Sequence, residues 1–345
     1  MAPPPDPTDV IRVAYDGRVA TITLDNAAKL NALSLQQYYD LACKLQEVAR
    51  RDDVYVTFLT GTGRFFSAYV FVLVLTARLF LAALVKLLVL APCSLSARSP
   101  SQMALRPSAV ILFLFTRVSS TRRFPANPVT LHSGADVSLA QNSPAGHDRA
   151  AHLHWLRSFV ANNLNIARAF YTHPKILVVG LNGPVVGLSA ALVAFADFVY
   201  CTPSTFLLTP FSSLGLVAEG AASLGLIQRL GRAKANEALL MSKRIGSDEL
   251  LATGFVNAVF DVGHDNNHDH TAFHARVRRE IDERLGAHLV GDSLLGIKRL
   301  VRGADADRLD LQNVHEVFAG LDRFMTGVPQ EEFRKLAAGE KRHKL

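Results

Sequence analysis

A buried strand that runs straight into a glycine-proline turn most constrains what this chain can fold into. Residues 175–181 are apolar after Lys175 and rich in β-branched side chains, and they end at Asn182-Gly183-Pro184. Residues 55–60 form a similar run that ends in a glycine-rich turn. The small residues at 185–193 then predict a helix. Because strands alternate with helices, the sequence predicts an α/β layered fold.

Other local patterns extend this prediction. Apolar and polar residues alternate over 10–24 around Asp16-Gly17, which predicts a β-hairpin. Ser34 and Gln37 form a capping-box pattern that predicts the start of a helix. Further helices are expected within 148–173, 221–230 and from 276 onward, and short strands at 197–201 and 205–208. The last region is expected to place one apolar face on Phe318, Leu321, Phe324 and Met325.

The formal charge of +7 comes from one segment of the chain. Residues 69–133 contain seven Lys and Arg residues and no Asp or Glu, and the remaining residues carry equal numbers of acids and bases. A nucleic-acid partner is therefore not indicated. The three cysteines are scattered, so they predict neither a disulfide framework nor a metal site.

The turn after residue 181 has the features of a site for developing negative charge. The first N–H groups of a helix that begins near Gly187 have no intrahelical partner and carry partial positive charge. Such groups can stabilise an oxygen that becomes negative. Close packing alone also explains Gly183 and Gly187, and their spacing of four would suit a membrane GxxxG face. The motif by itself leaves these alternatives open.

Several motifs together resemble the enoyl-CoA hydratase/isomerase (crotonase) family in order and spacing. They are residues 16–24, Lys29-Leu30-Asn31-Ala32-Leu33-Ser34, Gly63-Arg64-Phe65-Phe66-Ser67-Ala68, Gly134-Ala135-Asp136-Val137, residues 181–197, residues 214–231 and Ala252-Thr253-Gly254-Phe255-Val256. The loop at 214–220 most resembles the Δ3,Δ2-enoyl-CoA isomerases of fungal peroxisomes. The resemblance implies a crotonase-type layered β-β-α spiral core, followed by a C-terminal helical region at 266–345.

The resemblance also assigns binding residues. It implies that the backbone amides of Ala135 and Leu188 form an oxyanion hole for the thioester oxygen. The 3′-phosphate-ADP part of coenzyme A is expected near Lys29, Leu30, Asn31, Ala32 and Ala68. Coenzyme A would then belong to the acyl-CoA substrate, and no separate cofactor and no metal are expected. The His and Asp residues at 264–274 are expected to form a solvated loop.

Glu219 is the residue that the resemblance identifies as the base. The two glutamates that place a water in hydratases correspond to Ala191 and Phe211, which cannot carry a proton. One carboxylate suffices to move the double bond of 3-enoyl-CoA to 2-enoyl-CoA, and apolar neighbours would raise its pKa. Glu219 as a simple cap for the helix at Ala221 is the alternative. Dienoyl isomerisation, hydration, thioester hydrolysis and a non-catalytic acyl-CoA-binding protein also remain open.

Residues 69–133 separate Ala68 from Gly134, which are neighbours in the family motif. The run at 69–91 has the length of a membrane span, but Arg78 and Lys86 interrupt it. Insertion of each charged residue at the centre of a span costs about 2.5 to 3.5 kcal/mol. Our hypothesis is that the segment is translated intron, which splits the core into 1–68 and 134–265. A hydrophobic hairpin that anchors the enzyme to a membrane is the alternative. If the segment is present, we expect Ala135 to be poorly positioned.

The chain closes with His343-Lys344-Leu345, which resembles the Ser-Lys-Leu peroxisomal address. This tripeptide predicts a peroxisomal location and binding to the import receptor. The family resemblance implies a homo-oligomer, either a trimer or a hexamer.

Overall fold

Two β-sheets and a set of helices build the protein. The computed structural model describes residues 10–67, 148–262 and 270–341. The strands are β1 (Ile11–Asp16), β2 (Val19–Leu24), β3 (Val56–Gly61), β4 (Ile176–Leu181), β5 (Val185–Val186), β6 (Phe198–Cys201), β7 (Phe206–Leu208), β8 (Ile245–Gly246) and β9 (Ala258–Val259). The first sheet has the order β1-β2-β3-β4-β6-β9 and the second the order β5-β7-β8.

Ten α-helices accompany these strands in the described part of the chain. They are α1 (Leu35–Ala49), α2 (Arg149–Trp155), α3 (Ala161–Tyr171), α4 (Leu188–Leu192), α5 (Ala222–Met241), α6 (Ser247–Ala252), α7 (His270–Leu285), α8 (Gly291–Gly303), α9 (Ala306–Met325) and α10 (Val328–Ala337). A π-helical turn at Leu156–Val160 joins α2 to α3. The predicted α/β layered fold is confirmed.

The first sheet is parallel except at its β1 edge. The strands β1 and β2 pair antiparallel around the Asp16-Gly17 turn, which confirms the predicted hairpin. β2, β3, β4, β6 and β9 then pair in parallel. The predicted capping box is also present, because the Ser34 side chain accepts from the Gln37 N–H and the Gln37 side chain accepts from the Ser34 N–H.

Strand β4 lies at the centre of the core. Leu177, Val179 and Leu181 contribute to one apolar cluster, and the alternating residues Ile176 and Val178 contribute to another. Both faces of the sheet are therefore covered. This explains why the strand reads as a continuous apolar run instead of an alternating one.

The predicted helix at 185–193 begins later than expected. Val185 and Val186 form β5, and Gly187 has a φ of 69° and a ψ of −135°. Glycine adopts this backbone conformation without strain, whereas a residue with a Cβ atom is strained in it. Since Gly187 cannot continue a helix in this conformation, α4 starts only at Leu188. A run of small residues carries no signal for such a break.

The C-terminal helices cover the remaining apolar surfaces. Helix α7 packs on the first sheet, and α9 packs on α2 and the π-helical turn, where the Trp155 and Phe324 rings stack at 4.1 Å. Leu321 and Phe324 are buried as predicted, but Phe318 is 48% exposed, so its placement on the apolar face was wrong. The buried stripe of α9 runs through Asn313, Val317, Gly320 and Phe324 with the 3.6-residue period, and Phe318 falls outside it.

Several predictions fall outside the described residues. They concern Ala68, Ala135, residues 69–133, the residues at 264–269 and the final tripeptide. The predicted solvated loop is wrong at His270 and His274, because both lie in α7 and hydrogen-bond to Gly63 and Thr60. In the part that the structure describes, no helix is long and apolar enough to cross a membrane. Over residues 10–67, 148–262 and 270–341, no group of three or more His, Cys, Asp or Glu side chains could hold a metal ion.

Candidate active site

The turn after β4 is packed against the stretch that precedes residue 68. A Cβ atom on Gly183 would lie 2.1 Å from the carbonyl oxygen of Arg64, so this position requires glycine. The Asn182 Nδ2 atom donates to the carbonyl oxygens of Gly63 at 2.7 Å and Phe65 at 3.2 Å. Two of the sequence motifs therefore form one structural unit.

Ser67 extends this contact to the start of the second sheet. The Ser67 N–H lies 3.4 Å from the Pro184 carbonyl oxygen, and the Ser67 carbonyl oxygen accepts from the Val186 N–H at 3.1 Å. Ser67 is fully buried and pairs with Val185 in a parallel β-bridge. The chain before residue 68 is thus held beside the turn that leads into α4.

Leu188 begins α4 with a free backbone donor. The Gly187 N–H donates to the Leu208 carbonyl oxygen at 2.8 Å, and the Gly187 carbonyl oxygen accepts from the Ala190 N–H at 3.0 Å. Among the described residues, no acceptor lies within hydrogen-bond distance of the Leu188 N–H. A first-turn amide of this kind can receive an oxygen that gains negative charge.

A chain of buried hydroxyl groups supports this turn. The Tyr38 hydroxyl lies 2.9 Å from Ser189 Oγ, which donates to Ser67 Oγ at 3.0 Å. Ser67 Oγ in turn donates to the Asn31 carbonyl oxygen at 3.0 Å. The chain connects α1, α4 and the segment predicted to bind coenzyme A. Sequence patterns gave no sign of it, because the contacts join residues far apart in the chain.

Glu219 lies in the loop before α5 and is partly exposed. Its Oε2 atom accepts a hydrogen bond from Asn163 Nδ2 at 2.9 Å. Burial of the carboxyl group raises the pKa of Glu219 to about 7, the Asn163 hydrogen bond lowers it, and the nearby carboxylate of Glu316 raises it. A carboxyl group with this pKa can both accept and return a proton near neutral pH.

The loop that carries Glu219 contacts the predicted oxyanion turn. A Cβ atom on Gly220 would lie 2.7 Å from Leu188 Cδ1 and 3.4 Å from the Ala191 Cβ atom. The residue that follows Glu219 therefore packs directly against Leu188 and Ala191 of α4. Ala191 and Phe211, at the hydratase acid positions, are buried and add no carboxylate to it.

The carboxylate of Glu219 does not cap α5. The side chain that accepts hydrogen bonds from the first turn of α5 is Glu316, which receives the N–H groups of Ala222 and Ser223. The simple capping alternative for Glu219 is therefore wrong. Asn163 and Glu316 are residues that the sequence patterns did not indicate, because they lie on helices whose packing partner is distant in the chain.

The predicted coenzyme A segment has an unusual backbone. Leu30 and Asn31 have φ values of 53° and 56°, which non-glycine residues rarely adopt. The Asn31 side chain is buried and donates to the carbonyl oxygens of Thr62 and Phe65, each at 2.8 Å. It therefore shapes the loop, whereas the Lys29 side chain is exposed. Ala32 is buried beside them.

Comparisons with known proteins identify the family of the chain. The family profile described as enoyl-CoA hydratase/isomerase matches residues 134–283, so the match begins at the residue after segment 69–133. A Δ(3,5)-Δ(2,4)-dienoyl-CoA isomerase from Pyricularia oryzae is 52% identical over 342 residues, which cover 97% of this chain and 99% of the relative. The 3,2-trans-enoyl-CoA isomerase of Saccharomyces cerevisiae is 34% identical over 236 residues, covering 67% of this chain and 80% of the relative.

The fold comparison gives the same result. The crystal structure of an enoyl-CoA hydratase/isomerase from Pseudoalteromonas atlantica matches with a TM-score of 0.65 and 19% identity, covering 98% of this chain and 100% of that chain. The structure thus has the crotonase fold. With relatives of 52% and 34% identity over most of their length, the chain belongs to the enoyl-CoA hydratase/isomerase (crotonase) family.

Proposed function

We propose that the protein is a Δ3,Δ2-enoyl-CoA isomerase, which converts 3-enoyl-CoA to 2-enoyl-CoA in fatty-acid β-oxidation. The observation that supports it is the state of Glu219, whose carboxyl group has a pKa of about 7, binds Asn163 and lies on a loop against Leu188. Of the three acid positions considered from the family resemblance, this one alone carries a carboxylate.

The proposed reaction is a proton transfer within one substrate. The Glu219 carboxylate removes a proton from C2, and the electron pair of that C–H bond forms the C1–C2 double bond of a dienolate. The thioester oxygen then carries negative charge, which the Leu188 N–H stabilises. The Ala135 N–H is the proposed second donor. Glu219 returns the same proton to C4, which leaves the double bond between C2 and C3.

Dienoyl-CoA isomerisation is the second candidate, because the Pyricularia oryzae relative bears that name. Conversion of a 3,5-diene to a 2,4-diene removes a proton at C2 and adds one at C6. These carbons are four bonds apart, whereas C2 and C4 are two bonds apart. One carboxylate held in place reaches the shorter span more easily, and Phe211 offers no second acid. The single carboxylate is therefore our reason to prefer the 3-enoyl substrate.

A comparison of two substrates tests this choice. The protein is incubated separately with a 3-enoyl-CoA and a 3,5-dienoyl-CoA of equal chain length, and the conjugated products are followed by ultraviolet absorbance. We expect a higher kcat/KM for the 3-enoyl-CoA and no 3-hydroxyacyl-CoA. A higher kcat/KM for the dienoyl-CoA would assign the second function, and formation of 3-hydroxyacyl-CoA would indicate a hydratase.

Replacement of Asn163 by alanine should weaken the base. The base must be ionised, so kcat/KM of the unaltered protein is expected to rise as the pH increases through about 7. The hydrogen bond from Asn163 favours the ionised form, so its loss raises the pKa of Glu219 further. We expect kcat/KM at pH 7 to fall by about 10- to 100-fold in N163A. The acid limb of the pH profile should move to higher pH.

The pH profile separates this effect from a general loss of structure. N162A is the matched control, since Asn162 is the neighbouring amide and donates to the Leu35 carbonyl oxygen instead of to Glu219. Its acid limb should coincide with that of the unaltered protein. An acid limb that stays in place in N163A would contradict the proposed contact between Asn163 and the base.

The partners follow from the same proposal. Acyl-CoA is the proposed substrate, in agreement with the enoyl-CoA chemistry of the family. The homo-oligomer, the import receptor and the peroxisomal location stay predictions.

A further inference from the structure

Glu316 on α9 is a buried carboxylate with an unusual set of partners. The residue is 5% exposed. Its Oε2 atom accepts from the Ala222 N–H at 3.2 Å, and its Oε1 atom accepts from the Ser223 N–H at 2.9 Å and from Ser223 Oγ at 2.5 Å. The Gln312 side chain, one turn earlier on α9, donates to the same Ser223 hydroxyl at 2.7 Å. Helix α9 thus holds the first turn of α5.

Burial raises the pKa of Glu316, and the hydrogen bonds from these partners oppose that effect by favouring the ionised form. Backbone N–H groups can only donate, so the carboxylate oxygens act as acceptors. Among the described residues, Glu316 forms no salt bridge with a Lys, Arg or His. A buried charge without a cation is costly unless hydrogen bonds and a helix N-terminus compensate it. A buried carboxylate without a cation therefore indicates a role beyond packing.

The first turn of α5 is joined directly to the loop of the proposed base. The Ala222 N–H donates to the Glu219 carbonyl oxygen at 3.3 Å. Gly220 and Ala221 between them have φ values of 72° and 57°. Ala221 has a left-handed backbone that is unfavourable for a residue with a Cβ atom, so surrounding contacts must hold it. Glu316 makes such contacts at the next two residues.

We propose that Glu316 is a positioning residue for Glu219, because its carboxylate fixes the first turn of α5 and its negative charge acts on the base. The inference rests on the proposed function of Glu219. It joins the C-terminal helical region to the chemistry of the site.

In the part of the chain that the structure describes, few other titratable or charged groups lie near the base. Helix α3 contributes the neutral Asn163, and α1 contributes Tyr38, whose pKa burial raises. The residues of α4 are apolar except for Ser189. Since Glu316 is the charged group that raises the pKa of Glu219, a change in its charge should appear in the pH profile.

Two substitutions with opposite effects on charge test the proposal. E316Q removes the negative charge and keeps one carbonyl oxygen, which can accept from one of the two α5 amides. We expect the acid limb of kcat/KM to move down by about half a pH unit or more. Q312E adds a negative charge beside Ser223, and its acid limb should move up. S223A removes the hydroxyl contact without a change in charge, so its acid limb should stay in place.

The outcomes separate three cases. Opposite shifts in E316Q and Q312E, with none in S223A, support the proposal. An equal loss of kcat/KM at every pH in E316Q, with no shift in Q312E, would reduce Glu316 to a structural cap and overturn it. If E316Q does not fold, as judged by circular dichroism, the direction of the Q312E shift decides. Failure of the proposed function itself shows independently, as activity retained in E219Q.

Discussion

Replacement of Glu219 by glutamine is expected to lower kcat/KM for 3-enoyl-CoA by about 10²- to 10⁴-fold. Glutamine has nearly the same size as glutamate, and its carbonyl oxygen can still accept the hydrogen bond from Asn163. It cannot take a proton from C2, so the dienolate does not form. Initial rates of conjugated product formation, compared with those of the unaltered protein, measure the loss.

The thermal stability of E219Q tests whether the loss of kcat/KM is chemical and not a loss of structure. The folded-state pKa of Glu219 is raised from 4.5 to about 7, so the folded protein binds this proton more tightly than the unfolded chain. The contribution of Glu219 to stability is therefore full below pH 4.5 and is lost as the pH rises through 7. At pH 8 the ionised carboxylate destabilises the fold by at most about 3 kcal/mol. The residue is partly exposed, so solvent screening makes this destabilisation smaller.

Glutamine carries no such penalty, so thermal unfolding of E219Q at pH 8 should occur at the same or a higher temperature. E283Q is the control for a generic loss of a carboxylate, since Glu283 is exposed on α7 and pairs with Arg279 on the same helix. Its kcat/KM should equal that of the unaltered protein. Activity within a few-fold of normal in a folded E219Q would exclude Glu219 as the base.

The features of the fold that sequence could predict are local ones. Asp16-Gly17 specifies a hairpin, and the Ser34 and Gln37 pair specifies a helix start, through contacts within a few residues. The apolar run at β4 reflects burial on both faces, which requires a layered fold around it. The break at Gly187 has no such local signal, because a small-residue run is compatible with either a strand or a helix.

The site was predictable only where the family resemblance supplied it. Position and neighbours of Glu219 agree with the expected base, and the raised pKa follows from burial. Two groups tune this pKa. Asn163 lies 56 residues before Glu219 in the chain, and Glu316 lies 94 residues after Ala222, the first residue of α5. Asn31 was expected at coenzyme A, but its side chain is occupied by the loop that it shapes. Such contacts depend on tertiary packing, which residue patterns do not encode.

The contacts of Ser67 bear on the consequences of segment 69–133. Ser67 is fully buried and bonded to the Val186 N–H and the Asn31 carbonyl oxygen, so one end of the family motif is fixed beside Leu188. The proposed second oxyanion donor, Ala135, follows two residues after Ala68 once the segment is removed. The chain would then pass from Ser67 through Ala68 and Gly134 to the donor, in the order of the family motif.

A protein without residues 69–133, in which Ala68 is joined to Gly134, is expected to exceed the full chain in kcat/KM by about 10²- to 10³-fold, the usual contribution of one oxyanion donor. Both proteins are purified and assayed with the same 3-enoyl-CoA. E219Q in the shortened protein should abolish the gain, which assigns it to the proposed site. Equal turnover by the two proteins would show that the segment does not disturb Ala135, and its presence in every transcript would exclude an intron.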